Sequence, residues 1–148
     1  MVLAIAGLIF LMVFIALPTL QRNQRDTQRR DDLSRFKAQI NQYQANYKGQ
    51  VPTSFAVAAC PAAATGNPGN VTDFVARYMQ NWNDPTNGNP YACVGTLAAF
   101  NSATTPGTWY YQRNGKCSGE SIVAASGNRE YAVIMKLEGS GVSCQDNQ

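Results

Sequence analysis

Val2 to Leu20 reads VLAIAGLIFLMVFIALPTL, an apolar run interrupted only by Gly7, Pro18 and Thr19, and it passes straight into QRNQRDTQRRDD, which holds no apolar residue. About 20 apolar residues suffice to cross the hydrocarbon core of a bilayer as a helix. Neither Gly nor Pro occurs from Leu20 to Lys48, so the helix is expected to continue through the polar half. Opposite charges fall four residues apart there: Arg22 with Asp26, Asp26 with Arg30, Asp31 with Arg35. Such exposed pairs contribute a few tenths of a kcal/mol each. Beyond Asp32 the apolar positions are Leu33, Phe36, Ile40, Tyr43 and Tyr47, in alternating steps of three and four. That spacing makes one stripe, suited to packing on a partner surface. A continuous helix over 2–48 would be roughly 70 Å long.

A cleaved secretory signal is a poor fit, because the run starts apolar, is too long, and leads directly into the stripe. Gly7 and Pro18 are its soft points. Proline lacks an amide hydrogen and its ring clashes with the carbonyl four residues back, here that of Phe14. Membrane helices often tolerate both residues; alternatively, the Gly7–Pro18 segment stretches or unwinds when subunits pack.

The 148 residues leave room for this stalk, residues 1–48, and one compact head, residues 49–148. Seven Lys/Arg against three Asp give the stalk +4, whereas five against six acids give the head −1. Scattered cations of that kind offer no basic patch for a nucleic-acid backbone. All four cysteines, Cys60, Cys93, Cys117 and Cys144, lie in the head, no two closer than 24 residues, and the chain has no histidine. Zinc and CxxC redox chemistry are therefore disfavoured, and two disulfides in an oxidising compartment are expected. Three connectivities are possible. Sequential pairing, Cys60–Cys93 with Cys117–Cys144, closes the shorter loops and is the one expected. Cations after an apolar helix favour a cytoplasmic head, but the cysteines favour an external one, and they carry the expectation.

Lys48-Gly49 followed by Pro52 reads as a helix stop with a glycine cap. Residues 56–70 are small residues and turn formers, a loop pinned by Cys60. Thr72 reads as the N-cap of a short helix with Asp73 in its first turn. Asn83 to Pro90 is a dense turn. Strands are expected at Tyr91–Val94, Thr108–Gln112, Ser121–Ala125 and Tyr131–Glu138, with Asn114-Gly115 as a hairpin turn before Cys117. In the last strand Tyr131, Val133, Met135 and Leu137 share one face. The Leu33–Tyr47 stripe is the natural cover for a sheet buried on that face. The expected fold class is α+β: a long N-terminal helix packed on a small antiparallel sheet.

Without histidine there is no Ser-His or Cys-His nucleophile pair. No phosphate-binding glycine loop is present. Asp84, Asn87 and Asn89 could offer oxygens to calcium, but turn chemistry accounts for them. The expectation is a non-enzyme with no cofactor and no metal.

The chain resembles bacterial type IV pilins and pseudopilins. The likeness lies in Ala4-Ile-Ala-Gly7, the apolar stretch to Pro18, and the polar helix that follows. It extends to Asp84-Pro85 through Gly88-Asn89-Pro90-Tyr91, and to the ending Tyr131–Glu138 with Cys144-Gln-Asp146. The resemblance implies a subunit that waits in the inner membrane after a prepilin peptidase has cut a basic leader and its new N-terminus has been methylated. The pilus assembly machinery then stacks copies into a helical homopolymer at the cell surface. Leu3, Ile5, Gly7, Leu8, Phe10, Leu11, Phe14, Ile15 and Pro18 would form the filament core, and Leu33, Phe36, Ile40, Tyr43 and Tyr47 the helix–head packing. The glutamate that pilins carry early in this run would fall just upstream of Met1, so residues preceding Met1 are expected. The expected role is a major pilin supporting adhesion and twitching motility. A pseudopilin or minor pilin of a secretion or DNA-uptake system is the second expectation, and a monomeric membrane-anchored binding module the third.

Overall fold

A single helix, α1 (Val2–Asn46), runs for 45 residues, about 67 Å, without a break at Pro18. The computed structural model describes residues 2–53 and 71–148. The expected loop at 56–70 and Cys60 lie outside the described residues. At its C-terminus α1 closes through Gly49, whose amide donates to the Gln44 carbonyl at 2.7 Å, a six-residue closure of Schellman type. The left-handed conformation starts one residue earlier than a glycine cap requires, since Lys48 has φ 56° and Gly49 φ 78°.

Two short helices follow, α2 (Val71–Tyr78) and α3 (Leu97–Ser102). Thr72 falls inside the first turn of α2 rather than before it. Nothing in the expected elements corresponds to α3, which Thr96 caps by accepting from the Ala99 amide at 3.1 Å. The strands are β1 (Trp109–Arg113), β2 (Gly115–Ser118), β3 (Ser121–Ala124), β4 (Tyr131–Lys136) and β5 (Val142–Asp146). Tyr91–Val94 makes no strand; only Cys93 bridges to Trp109.

Asn114-Gly115 is not a hairpin turn. β1 pairs with β4, which also pairs with β5, while β2 and β3 form a separate two-stranded sheet. Asn114, at φ 57°, turns the chain from one sheet to the other. The left-handed preference of Asn-Gly was legible; which strands it would separate was not.

The fold is α+β, a long N-terminal helix with a small antiparallel sheet. β4 is buried on both faces. On one side Tyr131, Val133 and Met135 join Leu33, Phe36, Ile40 and Tyr43 of α1 in a single core with Phe74, Trp82 and Trp109. Phe36 lies at its centre, its ring 5.2 Å from Phe74, 5.6 Å from Trp82 and 5.4 Å from Trp109. Tyr47 is half-buried at its edge. On the other side Ala132 and Ile134 pack with Phe100 of α3 and Ile122 of β3. The sheet therefore has two covers rather than the one expected. The near-continuous apolar run of β4 is what a doubly buried strand requires.

Candidate functional site

Among the described residues, nothing in the head buries the N-terminal part of α1. Leu3, Ile5, Leu8, Phe10, Leu11, Phe14 and Ile15 are each at least 60% exposed. Gly7 has no atom within 4 Å of where a Cβ would stand, and Pro18 is likewise exposed. The helix is long and apolar enough to cross a membrane. Large exposed apolar surfaces mark contact sites for a membrane or for other protein.

Where the helix meets the head, charge replaces apolar packing. Asp26 and Arg29 are buried, two turns and one turn before Leu33. Arg29 Nη1 donates to Asp26 Oδ1 at 2.8 Å, and Nη2 donates to Asp84 Oδ1 at 2.9 Å and to Thr86 Oγ1 at 2.7 Å. Asp26 in turn accepts the amides of Glu138 and Gly139, both at 2.8 Å. Arg25 forks onto Glu138 with contacts of 2.7 and 2.5 Å. One turn further on, Asp32 accepts from the Tyr91 hydroxyl at 2.8 Å. The helix thus holds two distant turns, 83–90 and 137–141, through Asp26 and both terminal nitrogens of Arg29, whose Nε is buried without a partner among the described residues. Breaking such a cluster by removing one member is costly, because the others stay buried without compensation.

The 83–90 turn is shaped for this contact. Asp84 Oδ1 accepts the Thr86 amide at 2.7 Å, and the Asp84 carbonyl accepts that of Gly88 at 2.8 Å. Gly107, at φ +78°, packs so closely that a Cβ would stand 1.9 Å from Asp84 Oδ2.

Charge states follow from these contacts. Burial disfavours the Asp26 carboxylate, but the two amides and Arg29 outweigh it and hold its pKa below the ordinary value. Hydrogen bonding from Arg25 lowers that of Glu138. Asp32 goes the other way: burial raises it, against the opposing Tyr91 hydrogen bond and Arg35. Burial, then the bond to Asp32, raises the Tyr91 phenol.

The four-residue ion pairs expected along the stalk do not form. Asp26 pairs with Arg29 and Asp32 with Arg35, each three residues on, while Arg22 reaches Glu138 at 3.9 Å. The head draws these side chains inward. Reading the sequence missed Arg29, Glu138 and Gly107 as site residues, and treated Asp84 only as a turn former.

Cys117 of β2 is bonded to Cys144 of β5, with Cα atoms 5.9 Å apart, joining the two sheets. Beside this bridge Asp146 Oδ2 accepts the Cys117 amide at 2.7 Å. Cys93 is also disulfide-bonded; the expected Cys60–Cys93 pair involves a residue outside those described.

No known protein family, curated sequence or solved structure matches the chain.

Proposed function

We propose that the chain is a structural subunit of a helical extracellular filament of the type IV pilus kind, with the pilin fold. One observation carries the reading: an apolar half-helix exposed on all sides is continuous, through Pro18, with a half-helix fixed in the head by the Arg29 hub. Copies staggered along a common axis would bury their 2–20 segments on one another and carry the heads outside. Head-to-tail contacts that do not close generate such a helix. Before assembly the same segment would lie in the membrane. Low copy number would instead favour a pseudopilin or minor pilin.

Leu8→Asp tests the proposal. A charge in the apolar core should abolish fibres while leaving the head folded. Fibres of normal yield from that variant would refute the core assignment. Wild-type chain that stays with the membrane, with no fibre containing it, would favour an anchored monomer.

A further inference from the structure

Carboxylates and cations are unevenly matched along the head. Near the apolar segment Asp26, Asp84 and Glu138 are all engaged by arginines. At the opposite end the backbone brings Lys48, Arg113 and Arg129 toward the exit of α1, about 40 Å along the helix from Leu20.

Backbone contacts set this placement. The Arg129 guanidinium lies on the Gly49 backbone, its Cζ 3.1 Å from where a Cβ would be. Lys48 immediately precedes that glycine. Arg113 is the register partner of Tyr131, and the next amide, that of Asn114, donates to the Glu130 carbonyl at 2.8 Å. Arg113 also follows Tyr111 on the helix-facing side of β1, where the Tyr111 hydroxyl donates to the Pro52 carbonyl at 2.8 Å. The Arg129 carbonyl is fixed from two sides, by Asn147 Nδ2 at 2.9 Å and Gln44 Nε2 at 3.4 Å.

Among the described residues none of the three cations has a carboxylate within ion-pair distance. Glu130, the acid adjacent to Arg129, instead accepts from the Gly127 amide and Gln148 Nε2. Arg113 Nε is buried without an acceptor. The partial negative charge at the end of α1 accounts for one cation there, not for three.

The geometry points to a docking site at this distal end for an acidic polysaccharide, with Arg113 and Arg129 gripping carboxylates and Lys48 adding charge. Guanidinium forks match carboxylates in two parallel hydrogen bonds. Three cations carried at one end of the head suit the spaced charges of a uronate chain better than a nucleic-acid backbone, which calls for an extended basic track. The site is a property of the head and holds for a filament subunit or an anchored monomer alike.

Oligogalacturonate is the probe, titrated into the full-length chain in detergent micelles and followed by calorimetry. Saturable, salt-sensitive binding is expected, weakened about tenfold in the Lys48→Gln/Arg129→Gln variant. Arg113→Lys with Arg129→Lys, which keeps the charge but loses both forks, should weaken it part-way. Arg30→Gln with Lys116→Gln, exposed cations elsewhere, should leave it unchanged. Unaltered urea midpoints would establish that the variants fold. No saturable binding by the wild type, equal loss in the Arg30/Lys116 variant, or tighter binding of double-stranded DNA at the same salt would each overturn the assignment.

Discussion

Asp26, on the long helix, accepts the amides of both Glu138 and Gly139, 112 and 113 residues further along the chain. This contact and the Arg29–Asp84 pair fix how the exposed apolar half-helix is carried relative to the head.

Arg29→Ala leaves Asp26 and Asp84 buried without their cation and should destabilise the head by about 3 to 5 kcal/mol. Arg29→Lys keeps the charge but cannot bond Asp26, Asp84 and Thr86 together, and should fall between. Urea unfolding of the detergent-solubilised chain measures both. A midpoint unchanged in Arg29→Ala would mean that the hub does not hold the head to the helix.

Gly107→Ala combines left-handed backbone with a side chain that meets Asp84. The loss should be about 3 kcal/mol or more. In addition, amide hydrogen exchange should accelerate at 83–90 before it does in β4. Uniform acceleration across the head would contradict the link between Gly107 and Asp84.

Acid should weaken the head through Asp26 and Glu138. Both carboxylates have folded pKa values below their ordinary 3.8 and 4.5. Their contribution is present above those ordinary values and disappears as pH falls through the lower folded ones. Asp32, raised by burial, has the opposite sign: protonation relieves its penalty and offsets part of the loss. Stability should therefore hold to about pH 4 and fall steeply below it. Asp26→Asn should be weaker at neutral pH and show a shallower acid slope. An identical slope in variant and wild type would remove Asp26 from the account.

Cys117→Ser opens the bridge between β2 and β5, which spans 27 residues. Chain entropy puts the cost at about 3 to 4 kcal/mol. Proteolysis should then begin in the β2–β3 hairpin, because this hairpin and α3 cover the outer face of β4. Resistance equal to wild type would show that the packing around Ile122 and Phe100 holds the hairpin unaided.

The long helix and its buried stripe were legible because periodicity and the absence of Gly and Pro are local signals. The hub was partly legible too. Counting back from Leu33 by the stripe's own steps of four and three lands on Arg29 and Asp26, so both lie on the buried face. Their charge argued for solvent, and only the positions of Asp84 and the 137–141 turn, set by tertiary structure, reverse that. The same holds for Asn114: its backbone preference is local, but whether it closes a hairpin or links two sheets depends on which strands pair. The second cover of β4 was written in the apolar run Tyr131–Met135, which alternation alone did not distinguish from a half-buried strand.

Helical reconstruction by electron cryomicroscopy of fibres sheared from the cell surface, with mass spectrometry of the same material, tests the central claim most directly. The account predicts thin fibres made of this chain, their axis filled by the 2–20 segments in contact with one another and the heads outside. Fibres that lack the chain, or that contain it with these segments away from the axis, would contradict it.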